Sequence, residues 1–157
     1  MVTSNSAARL SRIKKSIILA QTDTTVGFLS QNAALLREIK VRSTEKPFIC
    51  VFHNFSTLKH QGIRIPNRYK RCVRRSKKRT YIVKDQAFRV GSYPANSAVL
   101  RQLQWSFSTS ANESGKSYDP IFCEQKADII VQEKHGLYEG RASELYKINN
   151  KRKKRLR

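Results

Sequence analysis

Short, continuous apolar runs rich in β-branched and aromatic residues set the limits on what this chain can fold into. Ser16–Gln21 (SIILAQ) and Phe48–Phe52 (FICVF) have the pattern of strands buried on both faces. Tyr81–Val83 (YIV), Trp105–Phe107 and Ala127–Gln132 (ADIIVQ) are further strand candidates. The segments between them have helical spacing. Ser30 is placed to cap a helix over about Gln31–Ile39, with Ala34, Leu35 and Ile39 on one face. Ser97–Leu103 (SAVLRQL) has the same period, and Lys46-Pro47 interrupts the chain before the second strand. Strands alternating with helices predict an α/β architecture with a twisted, mixed sheet. A length of 157 residues suits one domain with a real core, needing neither disulfides nor a structural metal. No internal repeat is visible.

Charge constrains the partners. Thirty-two Lys and Arg face eleven Asp and Glu, for a formal net charge of +21. Such an excess points to a polyanion. It is concentrated: eleven basic residues and no acid lie between Lys59 and Lys84, and seven more, again without an acid, between Lys147 and Arg157. Either run could be a solvated face, but the long absence of acids favours polyanion contact. Arg68, Lys70, Arg71, Arg74, Arg75, Lys77 and Lys78 are the candidate RNA contacts. The predicted domain covers residues 1–146, and 147–157 is expected as a basic C-terminal tail, disordered or ordered by a partner.

No apolar stretch approaches the roughly 18 residues that span a bilayer. The basic runs also lack the interleaved apolar face of an interfacial helix. A cytoplasmic protein without membrane contact is expected. Cys50, Cys72 and Cys123 are odd in number and lie at no metal-ligand spacing, so free thiols are expected, with Cys50 a small hydrophobe inside a strand. His53, His60 and His135 are scattered without carboxylates at ligand spacing, and no metal site is assigned. Trp105 is read as core.

Three polar clusters fall near the ends of predicted elements, where open α/β sheets place ligands. Thr22-Asp23-Thr24-Thr25-Val26-Gly27 follows the first strand; it is either a plain turn or a hydroxyl-lined ligand loop. Lys40 and Arg42 lie two apart at the end of the first helix. They either complement the helix C-terminus or grip a phosphate between them. The segment Ser108–Gly115 (STSANESG) is a polar loop that could hydrogen-bond phosphate or ribose oxygens, or satisfy only its own backbone.

In order and spacing these clusters resemble the YrdC-like family, the threonylcarbamoyl-AMP synthases. That family usually reads PT[DE]T-x-YGL, then K-x-R-P, then [ST]SAN-x-SG. The resemblance runs from about Ser16 to Ser143, and STSAN-x-SG is its most specific part. It implies a strongly twisted open sheet around a concave, basic cavity. It also implies a nucleotidyltransferase that joins L-threonine, bicarbonate and ATP into threonylcarbamoyl-adenylate for tRNA modification, with magnesium arriving on ATP and tRNA-modification proteins as partners. The alternative is a non-catalytic module of the same fold that binds double-stranded RNA, tRNA or rRNA.

Under this resemblance Lys40 and Arg42 neutralise the ATP phosphates, and Ser110 and Asn112 orient the nucleotide. Thr24 and Arg89 fall on the threonine side, Arg89 near the substrate carboxylate. Ser108 and Ser143 match hydroxyl positions lining the same cavity. Positioning and electrostatics, rather than a covalent nucleophile, would carry the reaction. The chain departs from the family pattern at Gln21, Ser43 and Gly91, each standing where a Pro is usual, and at Val26, standing where a Tyr is usual. The family's Pro-Gly-Pro-x-Thr segment reads here as Lys77-Lys78-Arg79-Thr80.

Overall fold

A strand with one aromatic face and one serine face anchors the sheet. In β6 (Trp105–Ser110), Trp105 and Phe107 alternate with Ser106, Ser108 and Ser110, and successive side chains of a strand point to opposite faces. The computed structural model describes residues 3–40, 47–91 and 94–157. Before β6 come α1 (Thr3–Lys14), β1 (Ile18–Gln21), β2 (Val26–Ser30), α2 (Ala33–Lys40), β3 (Ile49–Phe52) and α3 (Phe55–His60). A 3₁₀ turn (Asn67–Tyr69), α4 (Lys70–Arg74), β4 (Arg79–Val83), β5 (Gln86–Val90) and α5 (Pro94–Leu103) complete that half. After β6 come α6 (Pro120–Lys126), β7 (Ile129–Ile130), β8 (Glu144–Ile148) and β9 (Lys153–Arg155).

Among the described residues, nine strands form one mixed sheet in the order β7-β1-β2-β6-β3-β5-β4-β8-β9. The pairs β1–β7, β3–β5 and β4–β8 are parallel and the others antiparallel. This is a single-domain α/β fold with a twisted sheet flanked by helices, as the strand–helix alternation predicts.

Two faces follow from the register. Ile18, Ala20 and Leu29 point to one face, where α1 and α5 cover them through Ile13, Val99 and Leu103. Leu19, Val26 and Phe28 point to the other, against Leu36 of α2 and Cys123 of α6. On that second face the far half of the sheet packs Phe52, Tyr81, Phe88 and Ile148 against Phe55, Leu58 and Val73 of α3 and α4. Each such side chain, removed from water, stabilises the fold by about 1.5–3 kcal/mol before entropy is counted. The first face beyond Leu29 carries Ser108 paired with Ile49, and Val51 paired with Arg89. Val51 is buried there, whereas Ser108, Ile49 and Arg89 line an open cleft.

Several local expectations change. The cap of α2 is Asn32, whose Oδ1 accepts from Ala34 N at 3.0 Å; the Ser30 hydroxyl instead accepts from Asn32 N. Ser30 cannot cap because its backbone still belongs to β2. The Thr22–Gly27 turn closes a β1–β2 hairpin rather than leading into a helix, with Gln21 opposite Val26. Ser108–Ser110 are strand, not loop, because the Trp/Phe–Ser alternation runs on to Ser110. The strand expected at Ala127–Gln132 shortens to Ile129–Ile130. The expected boundary at residue 146 falls inside β8, and β9 pairs with it through Tyr146–Arg155 and Ile148–Lys153. The residues expected as a tail therefore form the outer hairpin of the sheet.

Burial pushes the half-buried Cys50 thiol from its ordinary 9.0 up to about 12, and the buried Tyr81 phenol from 10.0 up to about 12. Both groups stay neutral in the fold at pH values where the unfolded chain ionises them. The stability they hold is complete below pH 9 and is lost as the pH rises toward 12. Thermal unfolding should therefore give a flat melting temperature between pH 7 and 8.5 and a falling one above pH 9, with the Cys50→Ala variant falling less; an unchanged slope in that variant would assign the loss elsewhere.

Candidate functional site

The cleft is built on the hairpin turn between β1 and β2. The Thr22 hydroxyl accepts from Thr24 N and Thr25 N, both at 3.3 Å, and donates to Thr25 O at 2.7 Å. The turn thus satisfies its own backbone through Thr22, and the Thr22 hydroxyl also shares a 3.2 Å hydrogen bond with the Thr24 hydroxyl. Thr24 is 8% exposed, and its oxygen accepts from Arg89 Nη1 at 3.1 Å.

Asp23 fixes this turn against the far strands. Its Oδ1 accepts from Arg89 Nη2 on β5, and its Oδ2 accepts from Lys78 N ahead of β4 at 3.0 Å. The ion pair is largely buried, with side-chain exposures of 9% for Arg89 and 12% for Asp23. Burial lowers the Arg89 pKa, and the Asp23 carboxylate opposes that shift. The guanidinium keeps its charge.

The segment Glu133–Ser143 closes the third wall. Tyr138 N donates to Gln21 Oε1 at 2.9 Å, and Gly140 N donates to Thr25 Oγ1 at 3.1 Å. A side chain at Gly140 would meet Thr24 O at 1.9 Å, so only glycine permits this approach. Ser143 shares a 2.8 Å hydrogen bond with Thr80 on β4.

The result is a cavity of about 250 Å³ whose lining includes Thr24, Arg89, Ser108, Ser110 and Ser143. The structure thus brings these five sequence-predicted residues together from positions 119 apart in the chain. Lys40 lies at the end of α2, 5% exposed. Its ammonium donates to Ser110 O at 3.1 Å, Asn112 O at 2.5 Å and Asn112 Oδ1 at 2.6 Å. The Ser110 hydroxyl donates to the same Asn112 Oδ1 at 2.7 Å. Lys40, Ser110 and Asn112 therefore form one unit, with Lys40 clamping the loop that follows β6. Arg42 lies outside the described residues.

The basic run is displayed on the 3₁₀ turn, α4 and the approach to β4. Arg68, Arg71, Arg74, Arg75, Lys77 and Lys78 are exposed, and Lys70 is half-buried. Arg68 stacks over Tyr69 at 5.2 Å and Arg74 over Phe55 at 4.8 Å, so part of the run is held against the surface. Sequence reasoning missed Asp23 and Arg157. Asp23 stood inside a quoted motif, and its partners lie 55 and 66 residues away. Arg157 lines the cavity and donates from Nε to Ser143 O at 3.2 Å. Its place in a basic stretch concealed it. No group of three metal-ligating side chains occurs among the described residues, and no helix there is long and apolar enough to cross a membrane.

No family model and no curated protein matches the sequence. Solved structures do match. P. abyssi Sua5 complexed with L-threonine superposes with a TM-score of 0.80 at 16% identity, over 97% of this chain and 53% of that one. E. coli YciO gives 0.72 at 17% identity, over 98% and 88%. Full-length HypF in its phosphate- and nucleotide-bound form gives 0.73 at 14% identity, over 100% and 24%. The chain spans about half the length of Sua5. At these identities the likeness is one of fold.

The buried pair carries a direct stability consequence. Asp23→Ala leaves the Arg89 guanidinium uncompensated, and urea unfolding should show a loss of about 3 kcal/mol. A loss below about 1 kcal/mol, the range of an exposed pair, would contradict this role for Asp23.

Proposed function

We propose that the chain is a threonylcarbamoyl-AMP synthase-like nucleotidyltransferase, taking ATP, L-threonine and bicarbonate. The observation that carries this reading is the single cleft in which Thr24, Arg89, Ser108, Ser110 and Ser143 meet, with Lys40 and Asn112 joined to its rim. The fold shared with a Sua5 that was crystallised with L-threonine supports it.

The proposed chemistry is positional. The cleft walls supply hydroxyls and one buried guanidinium, and none of these groups needs to become covalently attached. Arg89 faces the cleft with Thr24 on one side, suiting a small carboxylate next to a hydroxyl. Ser108 and Ser110 offer hydroxyls to a nucleotide. Lys40 fixes the Ser110–Asn112 segment, and its charge favours phosphate close to that segment. Magnesium comes with ATP, held chiefly by phosphate oxygens. Product delivery to tRNA belongs to the same reading.

The test is pyrophosphate release from ATP. Release should require both L-threonine and bicarbonate, and Lys40→Ala should reduce it at least a hundredfold while the circular-dichroism spectrum stays native. Turnover indifferent to threonine, or undiminished in the variant, overturns this assignment.

A second reading, an RNA-binding module without catalysis, draws on the exposed cations between Arg68 and Lys78. It expects no pyrophosphate release and an affinity for duplex RNA that drops steeply between 50 and 200 mM salt. Salt-independent binding would rule out phosphate contacts as its basis.

A further inference from the structure

The helices on the second face of the sheet leave a gap between them. There α2 and α6 pack on the near half and α3 and α4 on the far half. In the gap run β3 and β6, whose successive side chains point to opposite faces. Ile49 and Ser108 line the cleft, while Phe48, Cys50, Phe52, Trp105 and Phe107 line a separate cavity of about 330 Å³ behind it. Ala33 and Arg37 of α2 form one wall, and Ile63, just past α3, forms the other. A hollow of that size suits a small organic molecule.

Its floor is aromatic and uncharged. Trp105 and Phe107 meet edge to face at 5.2 Å, and Phe48 is tilted by 51° against Phe107 at 6.3 Å. One more flat ring extends such a tilted row favourably. Burial keeps the Cys50 thiol neutral, so it too is apolar floor. The charged groups sit at the rim. The Asp85 side chain is fully exposed, 4.0 Å from Lys147 Nζ, and stays in solvent. Arg37 is placed differently. Its guanidinium lies over the Phe48 ring, 5.9 Å from the centroid, and its Nε is buried with no hydrogen-bond partner among the described residues. A buried donor left without an acceptor is costly. The ring contact engages the face of the guanidinium and spares its edge, where Nε and an Nη make a fork that fits a carboxylate.

We propose that this cavity binds a small aromatic carboxylate, with its ring against Trp105 and Phe107 and its carboxylate on Arg37. The site lies on the opposite face of the sheet from the cleft, and the assignment holds whether the cleft is catalytic or not.

Trp105 is the only tryptophan in the chain, so its emission reports on this cavity. The full chain is titrated with para-bromobenzoate, whose bromine quenches an indole only at close range, and with the uncharged para-bromobenzamide. The acid should quench Trp105 saturably. Arg37→Gln should weaken the acid about tenfold, as loss of a charge-assisted hydrogen bond does, and leave the amide within about twofold. Ala33→Leu narrows the cavity and should weaken both ligands. Lys134→Gln removes an exposed cation elsewhere and should change neither, with circular dichroism checking that every variant is folded. Quenching that rises without saturation means that no site exists. Equal loss in Arg37→Gln and Lys134→Gln means attraction by overall charge alone. Acid binding that survives Arg37→Gln, or binding untouched by Ala33→Leu, puts the ligand elsewhere, and each of these results overturns the proposal.

Discussion

Asp23 has two carboxylate oxygens, and the fold uses them in different directions. One holds Arg89 on β5, and the other holds the backbone ahead of β4, so a single side chain in the β1–β2 turn ties the near half of the sheet to the far half. Without that tie the turn would be held by its own threonines and by the segment around Gly140 alone, and Arg89 would carry a buried charge without its Asp23 counterion. The same contact aims both neighbours. Arg89 is turned toward the Thr24 hydroxyl, and the Lys78 backbone, left-handed at φ 54°, is tied to the turn. Two walls of the cleft are therefore joined through one residue.

The sheet makes room for the cleft by a division of labour along β6. Its aromatic side packs into the core, where Trp105 and Phe107 meet edge to face at 5.2 Å. Its serine side, at Ser108 and Ser110, lines the cleft. A leucine in place of Ser108 would extend the apolar patch that α5 already covers and fill the cleft floor. Small hydroxyls keep the floor open and supply hydrogen bonds that cost little to present.

The sequence made β1 legible because its apolar run is continuous, as a strand covered on both faces must be, and β3 by the same continuity although its Ile49 lines the open cleft. It made the polar clusters legible because short hydroxyl residues after a strand need a reason. The elements it hid are those whose stability comes from elsewhere in the chain. The segment Gln86–Val90 opens on a polar residue and is a strand because β3 and β4 flank it. The segment Lys153–Arg155 carries only cations and is a strand because β8 offers it a backbone ladder. Lys40 was read as a phosphate ligand or a helix-end cation, and among the described residues its ammonium donates to oxygens of Ser110 and Asn112, 70 and 72 residues on. Long-range pairings of that kind leave no local pattern.

The outermost strands also bear on how this molecule behaves among copies of itself. An outer strand displays unpaired amides and carbonyls, and a neighbour can add to it as one more strand. At one side of the described sheet the exposed strand is two residues long, which offers too little ladder to template anything. At the other it is Lys153-Lys154-Arg155, exposed, with Arg155 paired to Glu144, so that an approaching copy would bring the two lysine charges against two. Brevity guards one border and repulsion the other. A chain so basic resists zipping into fibres for as long as those lysines stay charged.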